Sequence, residues 1–161
     1  MFDLFETKMS SPVGQLRLIA HHNALVAICW HDDHKTPYAS KQYKFHDTHE
    51  ILLQAQSELN QYFNQERESF DVPIQYLMGT DFQKQVWQAL LQIPSGQTTS
   101  YGMLAASIAR PKAVRAVASA IAHNPLSIVV PCHRVVGKNG DLRGFAGGLD
   151  HKKYLLDLEQ V

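Results

Sequence analysis

Only two cysteines, Cys29 and Cys132, occur in the 161 residues. A disulfide scaffold is excluded by so low a count, and in a reducing compartment both are expected to be thiols. Long apolar runs are missing as well. None approaches the roughly 18 residues of a membrane span, although 45% of the chain is apolar, enough for a real core. Glycine and proline number 9 and 7 and show no period, so nothing is collagenous, fibrous or disordered. The opening Met1-Phe2-Asp3-Leu4-Phe5-Glu6 is acidic and lacks the basic and apolar regions of a signal peptide. A cytoplasmic protein is expected, with no membrane partner.

Net charge is also zero, but it is unevenly spread. Residues 1–80 carry 6 Lys/Arg against 10 Asp/Glu, and residues 81–161 carry 9 against 5. Between Ile93 and Arg143 six basic residues face one acid, Asp141. A basic segment confined to one half is a modest nucleic-acid signal; a solvated surface is the plainer alternative.

In the first half, Ser11-Pro12-Val13-Gly14 is turn chemistry. The alternation at Leu16, Leu18 and Ala20 predicts a strand, and the apolar run Ala24 to Trp30 a second, with His21-His22-Asn23 as the hairpin turn. From His31 to Thr48 the chain reads mostly as loop. Leu52, Ala55, Leu59 and Phe63 share a helical face over Ile51–Phe63, and 70–74 reads as a short strand. In the second half, Thr80-Asp81-Phe82-Gln83 fits a capping box, followed by a core stripe at Phe82, Val86, Ala89 and Leu90. Pro94-Ser95-Gly96 ends that helix. Ser100 is a candidate N-cap for a helix to Ala109. Lys112 to His123 reads as the next, with Pro111 at the first helical position and Val114, Val117, Ala118 and Ile121 buried.

Two short helices joined by a tight turn make a helix-turn-helix candidate. The second presents Lys112, Ala116, Ser119 and His123, with Arg115 beside them. Such small residues read few bases in a major groove but suit a narrow minor groove, where shape and backbone contacts dominate. Two ordinary packed helices would give the same spacing.

Downstream lies Pro131-Cys132-His133-Arg134-Val135. An ordinary cysteine, with a pKa of about 8.5, is mostly thiol at neutral pH; it becomes a nucleophile when a base takes its proton and dipoles hold the thiolate. Neighbours on an extended strand face opposite ways, so a water-bridged transfer to His133, or a sharp bend, is expected rather than a direct bond. The imidazole would need a carboxylate to fix its tautomer, and Glu159, Asp157 and Asp150 are the candidates.

Several motifs then follow in order. They are Ile93-Pro94-x-Gly96-x-Thr98-x-Ser100-Tyr101-Gly102, Arg115-Ala116-Val117, Asn124-Pro125, the Pro131–Val136 run, Gly144-Phe145-Ala146-Gly147-Gly148-Leu149, Lys152 and Leu155-Leu156-x-x-Glu159. This pattern resembles the O6-alkylguanine-DNA alkyltransferase family, densely from about residue 79 to 159, with a weaker echo at Ser11-Pro12-x-Gly14-x-Leu16.

The resemblance implies an α+β fold: a small ribonuclease H-like α/β domain over 1–76 and a mainly helical, winged helix-turn-helix-like domain over 79–161. It implies irreversible, single-turnover repair, in which an alkyl group passes from O6-alkylguanine in double-stranded DNA to Cys132, and O4-alkylthymine is a possible second lesion. By the same resemblance His133 is a water-mediated base and Glu159 orients it. Asn124 ties the site together, and Arg115 is the finger that fills the space of the flipped base. Tyr101 borders the pocket and protonates the leaving guanine. Lys112, Ala116 and Ser119 face DNA. Backbone groups of Cys132, Val135 and Ala146 read the base, with Lys152 beside them; many relatives have Ser at the Ala146 position. No cofactor is implied, and a monomer without an obligate protein partner is expected. A structural zinc known in some relatives is not expected, since Cys29-x-His31-x-x-His34 does not match its ligand pattern. The alternative is a lesion-sensing DNA-binding protein without transfer; its relatives carry another residue where Cys132 stands.

Overall fold

The computed structural model describes residues 3–30, 33, 38, 41–145 and 147–160. Three antiparallel strands open the chain: β1 (Phe5–Ser11), β2 (Gly14–Ala20) and β3 (Leu25–Trp30). A two-residue strand, β4 (Lys44–Phe45), pairs parallel to β1 and completes the order β3-β2-β1-β4. Helix α1 (Glu50–Phe63) packs on this sheet, capped by His49, whose ring accepts from the Ile51 amide. The turn between β1 and β2 needs Gly14, which sits at φ 92, a region closed to most side chains.

The β1 strand was not foreseen, because its inward positions include polar residues. Glu6 is buried and binds Arg17 at 2.9 Å, so no apolar alternation marks it. Nor does alternation hold in β2, whose Leu16 to Ala20 are all buried. Leu16 and Leu18 face the main core, whereas Ile19 joins Val26, Ala27, Cys29 and Tyr38 in a second cluster. A sheet covered on both faces loses the period-2 signal. The strand expected at 70–74 shrinks to a bridge between Ile74 and Leu25. Pro73 contributes its carbonyl to Leu25, but has no N–H to extend a ladder.

The second half contains α2 (Asp81–Leu90), β5 (Thr99–Ser100), α3 (Tyr101–Ser107), α4 (Val114–Ala122), β6 (Val135–Val136) and α5 (Leu149–Leu158). The capping box at Thr80 and Gln83 is formed in both directions. Strands β5 and β6 pair parallel, which fixes the start of α3 beside the segment that carries Cys132. α4 begins two residues later than the spacing predicts. The Ala113 amide bonds Arg110 O at 2.9 Å, closing a turn over Pro111 and Lys112, so Pro111 precedes the helix instead of opening it. The rotation buries Val117, Ala120 and Ile121, leaving Val114 exposed and Ala118 half-buried.

One apolar cluster runs through both halves, from Leu16, Leu25 and Leu59 to Val86, Leu104, Val117 and Leu155. Backbone bonds cross as well: Ile28 N donates to Pro125 O at 2.9 Å, and Ile28 bridges Leu126. The β3 edge thus supports the loop leading to Cys132. No helix among the described residues is long and apolar enough to cross a membrane.

Candidate active site

Helices α3 and α4 form one wall of a cavity of about 830 Å³. Ser100 caps α3, its hydroxyl accepting from the Met103 amide at 3.1 Å. This places Tyr101 and Met103 at the cavity mouth, across from Val114 and Arg115 of α4. Asn124, Ser127 and Cys132 line its depth, and Lys138, Arg143 and Phe145 its far side. Lys112 just ahead of α4, Arg115, Ala116 and Ser119 along it, and His123 at its C-cap are all exposed.

The loop from Asn124 to Pro131 is folded tightly around the Asn124 side chain. Its amide nitrogen donates to Val130 O and its oxygen accepts from the Leu126 amide, both at 2.9 Å. Within this loop Ile128 has φ 76, an unfavourable value for a β-branched residue. Such strain persists only where neighbours over-determine the backbone; here the Asn124 clip and the β3 bridge do so. Cys132 then opens a single 3₁₀ turn, Cys132–Arg134, instead of continuing an extended strand. The turn sends neighbouring side chains in different directions. Cys132 reaches the cavity, while His133 and Arg134 point into the protein behind it.

Cys132 is buried, and burial pushes its thiol up. Opposing this are hydrogen bonds from Asn124 and Ser127, the backbone, and the positive charge of Lys152. His133 is fully buried and shifted down by desolvation, with Glu159 pulling the other way, so the neutral ring is favoured. Its Nε2 lies 2.8 Å from Glu159 Oε2. With Nε2 protonated toward the carboxylate, Nδ1 is left as the basic atom. Nδ1 is buried and bonded to no group among the described residues.

Glu159 is the hub of this arrangement. Arg134 grips it with Nε on Oε1 and Nη2 on Oε2, each at 2.9 Å, while Arg134 Nη1 donates to Ile93 O at 2.6 Å. Tyr62 of α1 donates its hydroxyl to Oε2 at 2.5 Å. Burial alone would raise the carboxyl. The donors from His133, Arg134 and Tyr62 overcome that, holding it at about 2.

Of the three candidate carboxylates, only Glu159 meets His133. Asp157 pairs with Lys153 on the surface, and Asp150 is exposed. Tyr101, Arg115, Asn124 and Cys132 come together on one cavity. Val135 and Lys152 do not line it. The Val135 carbonyl is already taken by Lys152 Nζ at 2.6 Å, and its amide by Cys132 O. Lys152 also donates to Arg143 O, so it fastens the segment behind the wall. Ala146 lies outside the described residues, as do His31 and His34, while Cys29 is buried in the second apolar cluster. Sequence reasoning missed Arg134 and Tyr62. Arg134 was legible in principle, since an arginine inside a buried motif demands a carboxylate. Tyr62 was not, because 97 positions separate it from its partner.

A buried thiol on the wall of an open cavity, backed by an imidazole and a carboxylate and flanked by a helix-turn-helix, defines a protein built for thiol chemistry beside a DNA-binding element. The comparisons name the family. Residues 4–76 match the 6-O-methylguanine DNA methyltransferase ribonuclease-like domain, and residues 81–161 the 6-O-methylguanine DNA methyltransferase DNA binding domain. Methylated-DNA–protein-cysteine methyltransferase of Mycobacterium bovis is 42% identical over 152 residues, covering 94% of this chain and 90% of the relative. The Haemophilus influenzae protein of the same name is 41% identical over 164 residues, covering 100% and 89%. The crystal structure of Mycobacterium tuberculosis OGT in complex with DNA superposes with a TM-score of 0.88 at 40% identity, covering 97% of this chain and 92% of that one. The chain belongs to the 6-O-methylguanine DNA methyltransferase family.

Proposed function

We propose that the protein repairs DNA by moving an alkyl group from O6 of guanine to the sulfur of Cys132. The observation that carries this reading is the placement of Cys132 on a cavity bordered by α3 and α4, with the His133–Glu159 pair directly behind it. An alkyl carbon on guanine O6 is buried in the duplex, so sulfur reaches it only after the base is rotated out. The rotation costs a few kcal/mol, least for a weakly paired lesion. Arg115 occupies the vacated space in the stack, and the small side chains of Ala116 and Ser119 let α4 approach a groove closely. Lys112 meets a phosphate. Duplex DNA is the partner, and the residues 79–161 form the part that engages it.

In the step itself the Cys132 proton passes through a water to His133 Nδ1, and the Glu159 carboxylate stabilises the imidazolium. The thiolate attacks the alkyl carbon in line; the S–C bond forms as the C–O bond breaks. Guanine leaves with the electron pair and is protonated from the Tyr101 hydroxyl, an electrostatic assistance delivered where charge develops. Burial, and then the nearby Cys132, raise the Tyr101 hydroxyl, which keeps it protonated until that moment. The thioether has no hydrolysis route, so each molecule acts once. Every atom exchanged comes from the lesion and the protein: the proton taken up by His133 returns through solvent to the tyrosinate left at Tyr101, so both side chains end neutral and no further reactant is needed. Access to chromosomal DNA and a reduced thiol both fit the cytoplasm.

Intact-mass measurement after incubation with a duplex containing O6-methylguanine tests the reading. One methyl group is gained by the protein and none by Cys132→Ala, which still binds. Tight binding without a mass change would instead identify a lesion sensor.

A further inference from the structure

The hub carboxylate receives a donor from outside the DNA-binding half of the chain. We infer that Tyr62, on α1 of the N-terminal half, is a positioning residue of the alkyl-transfer relay, setting the orientation and proton affinity of Glu159 through the bond to Oε2. The inference rests on the alkyl-transfer reading and deepens it: the ribonuclease-like part supplies a working side chain to the reaction.

Three observations converge on Tyr62. Its hydroxyl is the third donor on Oε2, alongside His133 Nε2 and Arg134 Nη2. Glu159 itself stands just past the last residue of α5, as its C-cap, with φ −81 and ψ 0. It therefore lacks the rigidity of a helix interior, and the next residue, Gln160, already has a positive φ. The end of α1 supplies the missing restraint. Tyr62 holds the side chain, and Gln65 Nε2 donates to Leu158 O at 3.1 Å, holding the backbone one residue earlier. Finally, the Tyr62 ring is fixed. It is buried, packing edge-on against Phe63 and tilted against Phe70 with centroids 5.4 and 5.5 Å away, so the hydroxyl has one place to point.

The chemical consequence has a sign. Tyr62 withdraws part of the negative charge of Glu159, leaving less to favour protonated His133. Without the hydroxyl, Glu159 binds a proton on His133 more strongly. His133 is then occupied at a pH where it should be empty, and the carboxylate is freer to turn. Among the described residues, Arg134 on the same turn and Lys152 on α5 also face the pair, both opposing a proton on His133, while Tyr154 on α5 faces Tyr62. None of these changes on substitution of Tyr62.

The test is the single-turnover transfer rate from O6-methylguanine duplex against pH, for the whole protein and for Tyr62→Phe. Phenylalanine preserves the ring packing and removes only the hydroxyl. Affinity for the duplex should be unchanged and the rate at neutral pH should fall roughly tenfold, the worth of one hydrogen bond to a charged group expressed as a rate. The acid limb of the profile should move to higher pH. Phe63→Leu serves as the packing control: it should lower the melting temperature without moving the limb. A Tyr62→Phe rate profile of unchanged shape, whatever its height, overturns the positioning role. Absence of any methyl gain by the unsubstituted protein overturns the transfer reading itself, so the two failures are distinct.

Discussion

Lys152 Nζ donates to the Val135 carbonyl at 2.6 Å and thereby holds a fully buried ammonium within Coulombic reach of the Cys132 sulfur. Burial lowers this lysine to about 8, and the cysteine pulls it back up. The cation and the thiolate favour one another, so the reactive form of Cys132 is supported from behind the cavity wall by a group that never touches the base.

Replacing Lys152 by methionine, which keeps most of the volume, should slow transfer at neutral pH roughly tenfold, the effect of about one pKa unit on the sulfur. In the unsubstituted protein the ammonium is lost as pH rises through about 8, so the transfer rate should stop rising or fall there. Lys152→Met never carries the charge and should lack that basic limb. Identical basic limbs in rapid-quench transfer assays would refute the Coulombic role.

Glu159 makes a prediction about stability. Its folded-state value near 2 lies below the ordinary carboxylate range. Its contribution is therefore complete above about pH 4.5, and is lost as pH falls toward 2, when the folded state must also take up the proton. Glu159→Gln should flatten that acid limb of the unfolding midpoint. At neutral pH it should cost about 3–5 kcal/mol, because the buried Arg134 guanidinium loses its counter-charge. Transfer should drop at least about 100-fold, the low end for losing an acid–base partner. Chemical denaturation at a series of pH values reads both effects; equal acid sensitivity of the two proteins would show that Glu159 is not the group titrating.

Arg115 is exposed at the cavity rim, and the finger role proposed for it would act only where a duplex is bound. Arg115→Ala should slow transfer from duplex DNA far more than from the free alkylated base, since only the duplex needs its stack filled. Equal slowing on both would remove the finger role. Its contribution to phosphate binding is a single charge, so the slope of log affinity on log salt should fall by about one unit or less.

Much of this site was legible because its parts are short motifs kept in register. Tyr101 opens α3, Asn124 follows the end of α4, and Cys132 opens the turn that carries His133; these boundaries are written locally, by Ser100 as a cap and by Asn124-Pro125 as a stop. The strand β1 was hidden because Glu6 and Arg17 pair inside the sheet, replacing the apolar residue that alternation looks for. The start of α4 was misread because Pro111 is as compatible with a turn as with a first helical position, and only the Arg110–Ala113 bond decides between them. Tyr62 illustrates a harder limit. A tyrosine on the buried face of an amphipathic helix looks like any core aromatic until the fold delivers a carboxylate from the far end of the chain to its hydroxyl.

The cavity wall formed by Phe145 depends on a contact that also spans the two halves. Trp30 of β3 meets Phe145 edge-on at 5.3 Å, stacks on His151 and anchors its own indole N–H on Val13 O at 2.7 Å. Gly147 lies against the same indole; a Cβ there would stand 2.7 Å from ring carbons, closer than packed atoms tolerate. Because Trp30 is buried in β3 and held by Val13 and His151, the loop rather than the ring must yield. Gly147→Ala should therefore push Phe145 off its position, costing about 1–3 kcal/mol as overpacking does, and should slow transfer with little change in duplex affinity. Trp30→Phe shrinks the obstacle. In the double variant the loss should be partly recovered, giving a coupling above the ~0.5 kcal/mol scatter of independent sites. Strict additivity of the two substitutions, in both unfolding free energy and transfer rate, would show that the loop is not seated by Trp30.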